Sequence, residues 1–210
     1  MKTLLALALV LLAAPAFAQT AADPVAEPEL RAELVQRFAA DQDVRTRLIA
    51  SGGFVPDSLA NPSPALAALL AETMATDADN LARVEEVVAE HGWPTPALVG
   101  ADGVEAVWAI VQHSNPGVQE RMLPMVEAAW RAGDLAGQSY ALLLDRVLVG
   151  RGEPQVYGTQ PDVAADGTIS APATVDDATL DARRAEVGLP PMADYLEMVR
   201  QVYQAAPAAE

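Results

Sequence analysis

Two histidines, His91 and His113, are the only imidazoles in the chain, and imidazole is the side chain best suited to acid and base work at neutral pH. Both close predicted helices. His91 stands before Gly92 and Pro94, while His113 follows Gln112 at the end of Gly103 to His113, a run whose one charged residue is Glu105. Two adjacent polar side chains on an apolar helix are uncommon by chance, so Gln112 and His113 are candidates to line a cavity. Asp145 and Arg146 interrupt an otherwise apolar or aromatic stretch from Tyr140 to Val149. Adjacent helical residues point about 100° apart, so these two cannot satisfy each other. Buried charges cost several kcal/mol unless paired, and each therefore needs a partner elsewhere.

These groups support a catalytic reading. His113 and His91 are the acid/base candidates, with Asp145 orienting one imidazole as a carboxylate does in hydrolytic sites. Arg146 suits planar binding of a carboxylate or phosphate, and Gln112, Tyr157, Gln155, Gln160, Trp93 and Arg45 are candidates to contact substrate. The structural reading stays open beside it. His91 fits a helix C-terminus, where the macrodipole favours it, and Trp93 fits a core or cavity wall. Asp145 can pair with an arginine such as Arg45 or Arg183, and Arg146 with backbone carbonyls or Asp41.

Other chemistries have less support. A divalent ion needs the histidines together with Asp145 or Asp79, but no HExxH, short His-x-His or acidic ligand cluster occurs. No metal or other cofactor is expected. There is no cysteine and no G-x-S-x-G, so a nucleophilic mechanism lacks its usual signature.

The elements that must position these residues read as helices. Met1 to Ala18 has a basic start, an apolar run and a small-x-small end, the pattern of a cleaved secretory signal. Gln19 to Glu29 is a disordered lead-in, residues 30–205 form one compact domain, and 206–210 are a tail. Export to the periplasm or the extracellular space follows, and no later stretch reaches the length of a membrane span. Removing the leader leaves 12 arginines, no lysine and 29 acidic side chains, a net charge of −17. Nucleic acid and anionic membranes are poor partners for such a chain, whereas a small molecule or peptide is compatible.

Apolar stripes predict a helix from Leu30, stopped at Ser51-Gly52-Gly53. A short Ala-rich helix from Leu66 and another from Asp77 to His91 follow. Asp102 caps the buried helix ending at His113. Pro124 should kink or divide the next one, and Asp134 should cap the helix that carries Asp145. The period then changes. Gln155 to Gln160 and Thr168 to Val175 read as strands of one small β-hairpin near residues 154–175, before two last helices. The fold class is mainly α.

His91-Gly92-Trp93-Pro94-Thr95, Gln112-His113, Asp145-Arg146 and Tyr157-Gly158-Thr159-Gln160 together resemble a bacterial domain family of unknown function with HGWPT, QH, DR and YGTQ signatures. The likeness extends to Asp41-Gln42 with Arg45, to Asp79-Asn80 and to Arg183-Arg184. The resemblance implies a helical domain, often exported or membrane-associated, and brings no catalytic mechanism with it. Three functions stay open: a hydrolase- or lyase-type enzyme acting on a small anionic substrate, a non-enzymatic envelope module binding a ligand or peptide, and a buried polar core with a structural role alone.

Overall fold

A computed structural model describes residues 24–53, 59–164 and 168–205, and over these the chain is mainly α. The expected signal, most of the lead-in, the tail and the side chain of Val202 lie outside the described residues. Helices α1 (Pro28–Ala50), α2 (Pro64–His91), α3 (Pro96–His113), α4 (Pro116–Ala132) and α5 (Gly137–Arg151) come first. Strands β1 (Asp162–Val163) and β2 (Ile169–Ser170), a 3-10 turn at Asp177–Thr179, α6 (Leu180–Glu186) and α7 (Met192–Ala205) follow. The residues fall into two compact units, one ending at Ile110 and the other beginning at Val111, so the border lies within α3.

In the first unit α1 packs on α2, burying Leu34, Val44 and Leu48 from one and Leu66, Leu69, Val84 and Val87 from the other. The two helices expected between Leu66 and His91 are one helix of 28 residues. No glycine or proline interrupts it after its first residue, and Asp77 does not cap a new start but binds Arg45 of α1 at 2.9 Å. Ser63 caps α2 by accepting from the Leu66 N–H at 3.2 Å. In α3, Gly100 has φ 73° and ψ 162° and separates the first turn from the rest. A Cβ there would lie 2.7 Å from Asp102 Oδ1 and 2.9 Å from Arg31 Nε. Asp102 accepts from the Gly103 N–H at 3.0 Å, one residue on, and not from the N–H two or three residues on that a capping side chain takes.

In the second unit α4 packs on α5. Pro124 does not divide α4. Both Pro124 and Glu120, whose carbonyl loses its helical donor, are exposed, so water can replace the missing bond. Helix α5 starts at Gly137, later than Asp134, because the Asp134 N–H bonds Ala129 O at 2.9 Å and completes the end of α4 at the left-handed Gly133. Gly137 itself permits a close approach. A Cβ on it would lie 2.9 Å from the Val187 backbone and 3.0 Å from Trp130 Nε1.

The sheet is smaller than the sequence pattern suggests. It pairs Asp162 with Ser170 and Val163 with Ile169, antiparallel, while 155–160 is a turn in which Gln155 makes an isolated parallel bridge to Thr174. Leu180, Met192 and Tyr195, with the half-buried Leu196 and Val199, form the apolar cluster under this region. Each such side chain contributes about 1.5–3 kcal/mol when fully buried.

Candidate functional site

The 155–160 turn is shaped by side chains where a strand would use a ladder. Asp145 of α5 is 0% exposed. Its Oδ1 accepts from the Val156 N–H at 2.8 Å and the Tyr157 N–H at 3.1 Å, and its Oδ2 accepts from Thr159 at 2.8 Å. Backbone donors must be satisfied when buried, and a carboxylate is a stronger acceptor than a neutral carbonyl. That competition curls the chain around Asp145 and prevents the expected strand. The carbonyls of the same turn are served from the other side. Arg183 Nε donates to Val156 O at 2.9 Å, Arg184 Nη1 to Tyr157 O at 2.6 Å, and Tyr195 Oη to Thr159 O at 2.7 Å. The Gln155 carboxamide closes the turn, donating to Gln160 O at 2.8 Å and accepting from Gln160 N–H at 2.9 Å.

Burial pushes the Asp145 carboxyl above its ordinary pKa, against the opposing pull of the Thr159, Tyr157 and Val156 donors. Burial likewise lowers the pKa of Arg184, which is 0% exposed, donates Nε to Pro190 O at 2.6 Å and lies over the Tyr195 ring at 4.8 Å. Tyr157 meets Tyr140 edge to face at 6.3 Å, and Tyr140 stacks on Trp130 at 4.5 Å. The Tyr140 hydroxyl is pushed up to about 12, foremost by burial.

A second polar group gathers where α3 ends. The main-chain oxygen of Gln112 accepts from Gln119 Nε2 of α4 at 2.9 Å and from Arg146 Nη1 of α5 at 3.4 Å. Gln119 also donates to Ser114 O at 2.9 Å, which ties α4 to the turn after His113. The Gln112 side chain differs from these. It is 0% exposed, and neither Oε1 nor Nε2 has a hydrogen-bond partner among the described residues. His113 and Arg146 are half-buried, with Nε and Nη2 of Arg146 closed off from solvent.

Arg45, His91 and Trp93 belong to the first unit. Arg45 is held by Asp41 at 2.8 Å and Asp77 at 2.9 Å, and Gln42 donates to the other Asp41 oxygen at 2.9 Å. Asp41, Gln42 and Arg45 are thus one half-buried ionic cluster around the buried Asp41, 1% exposed. His91 is the last residue of α2, its Nε2 3.7 Å from Glu90 Oε2. Gly92 ends that helix with φ 71°, and Trp93 Nε1 is enclosed without an acceptor among the described residues.

Residues 28–206 match a family of unknown function (DUF6624). The chain belongs to that family. No curated protein and no solved structure matches it.

Within this DUF6624 chain the second unit brings Asp145, Tyr157, Gln155 and Gln160 together in one turn, and Gln112 and Arg146 together at the α3 end. Asp145 serves backbone N–H groups, and Arg146 a backbone carbonyl. Sequence reasoning passed over Gln119, Tyr195 and the separate tasks of Arg183 and Arg184. Paired arginines in so acidic a chain were the available signal for the last two. Gln119 and Tyr195 act on main-chain oxygens, which no residue pattern displays. Among the described residues no three His, Asp or Glu side chains gather as a metal site would require, and no described helix is long and apolar enough to cross a membrane.

Proposed function

We propose that this member of the DUF6624 family is exported and binds a small ligand carrying an anionic group, contacted by Gln112, His113 and Arg146. The observation that carries the reading is the Gln112 carboxamide, wholly buried with no partner at either polar atom among the described residues. A buried amide left unsatisfied costs about 1–3 kcal/mol. An apolar residue of similar length would avoid that cost, so a glutamine here fits a group that finds its partner in another state. Enclosure of the carboxamide means that a ligand enters through local opening of the α3 end, a shift between two populations. Arg146 then supplies a planar cation for a carboxylate or phosphate, and His113 a group that both donates and accepts.

Binding is favoured over catalysis because Asp145, the carboxylate best placed in sequence to orient an imidazole, has both oxygens occupied by backbone N–H groups. The test is Gln112→Met in the full chain, with unfolding by urea and a panel of small anions (acetate, succinate, citrate, inorganic phosphate) followed by thermal shift. Met should raise stability by about 1–3 kcal/mol and weaken the ligand response. Unchanged or lower stability together with an unchanged response would sink the reading. Turnover of a bound anion that His113→Gln removes while binding persists would move the protein to the enzymes. Export is tested separately by the intact mass of the protein recovered from the periplasm, expected to begin at Gln19.

A further inference from the structure

Resting on the binding reading above, we infer that Gln112 recognises an amide edge on the ligand, so that the ligand class is a small anion that also carries a carboxamide or lactam. Among the described residues both polar atoms of the side chain lack partners, not one of them. Oε1 is an acceptor and Nε2 a donor, and the two lie on one planar edge. The group that satisfies both at once must present a donor and an acceptor on an edge of its own. A primary carboxamide or a lactam does so. A carboxylate offers two acceptors and no donor, so one of its oxygens would face Oε1 with no proton between them.

The surroundings divide the work in the same way. Arg146 has five donors and no acceptor, and its Nη1 donates to the main-chain oxygen of Gln112 at 3.4 Å. A charge-bearing oxygen of the ligand therefore belongs with Arg146, and its neutral amide belongs with Gln112. The main chain of Gln112 is already committed, because its oxygen takes Gln119 Nε2 at 2.9 Å as well. Only the side chain is left to read the ligand.

The test uses two probes of equal length, succinamate and succinate, titrated into the full chain by calorimetry, with Gln112→Met beside the wild type. A site built to hydrogen-bond a group strongly rejects the analogue that lacks it. Wild type should bind succinamate at least tenfold more tightly than succinate, and Gln112→Met should lose that preference. Equal binding of the two probes by wild type, or a preference that survives in Gln112→Met, overturns the amide-edge assignment while leaving an anion site intact. Binding of neither probe by a chain that responds to citrate or phosphate overturns it equally. Failure of every anion in the panel removes the binding reading itself, and the two failures are thereby told apart.

Discussion

Both units carry exposed ion pairs, such as Arg47 with Glu72 in the first and Arg151 with Glu120 in the second, but they use their most buried charges differently. In the first, arginines meet carboxylates: near the surface Arg31 with Asp102, Arg37 with Glu33 and Asp79, Arg47 with Asp43 and Glu72, Arg83 with Glu33 and Glu86, and deeper in, Arg45 with the buried Asp41. In the second, the deepest charges, Asp145 and Arg184, face backbone groups of one turn. Exposed ion pairs contribute roughly 0–1 kcal/mol each and are screened by salt. A buried charge that satisfies several peptide groups is different, since its removal leaves those groups unpaired in a place water does not reach. The second arrangement fixes a loop shape, and the first mainly ties helices together.

The sharpest way to break this contrast is Asp145→Asn. The carboxamide keeps one acceptor but turns an NH2 group toward N–H donors that had met an oxygen. We expect a loss on the order of 3–5 kcal/mol, measured by urea unfolding and nearly independent of salt. A loss below about 1 kcal/mol would mean that the turn holds itself. Arg184→Lys comes next. Lysine lacks the planar fork that reaches Tyr157 O and Pro190 O together, and a loss of about 2–3 kcal/mol is expected for a charged hydrogen bond removed from a buried acceptor. Gly137→Ala should cost about 1–3 kcal/mol by overpacking against Val187 and Trp130. A neutral result would show that α5 and the Val187 turn can separate without penalty.

Much of this was legible before any coordinates. The apolar periods of α1 and α7, the stops at Gly92 and Gly133, and the buried character of Gly103 to Gln112 are local properties, written in residue type and spacing. The anomaly of Asp145 in an apolar helix was legible too, as a demand for a partner. Its answer was not, because the partners are N–H groups of Val156, Tyr157 and Thr159, and every residue but proline carries one. The same limit explains the hairpin. Gln155 to Gln160 has strand-like composition, and only the position of Asp145 across the fold diverts its donors. The single α2 in place of two helices shows the converse. Asp77 opens a second helix in the sequence pattern, and Arg45, 32 residues away, binds it.

The smallest expected effect is also the one whose sign separates the units. Glu33 is held below the usual carboxylate range, first by the Arg83 hydrogen bond and then by Arg37. A depressed acid contributes stability that is full above its unfolded value of about 4.3 and is lost as pH falls through the folded value. Asp145 runs the other way. Its raised pKa makes its contribution full below the unfolded value of about 3.9 and lost as pH rises through the folded value. Glu33→Gln should therefore cost about 0.5–1 kcal/mol at pH 7 and low salt, less in molar salt, and nothing at a pH where Glu33 is already protonated. Unfolding curves from pH 2.5 to 7 at two salt concentrations would read this. If Glu33→Gln left the acid limb of the curve unchanged, the surface arginines would be decorating the first unit and the contrast would reduce to the Asp145 turn alone.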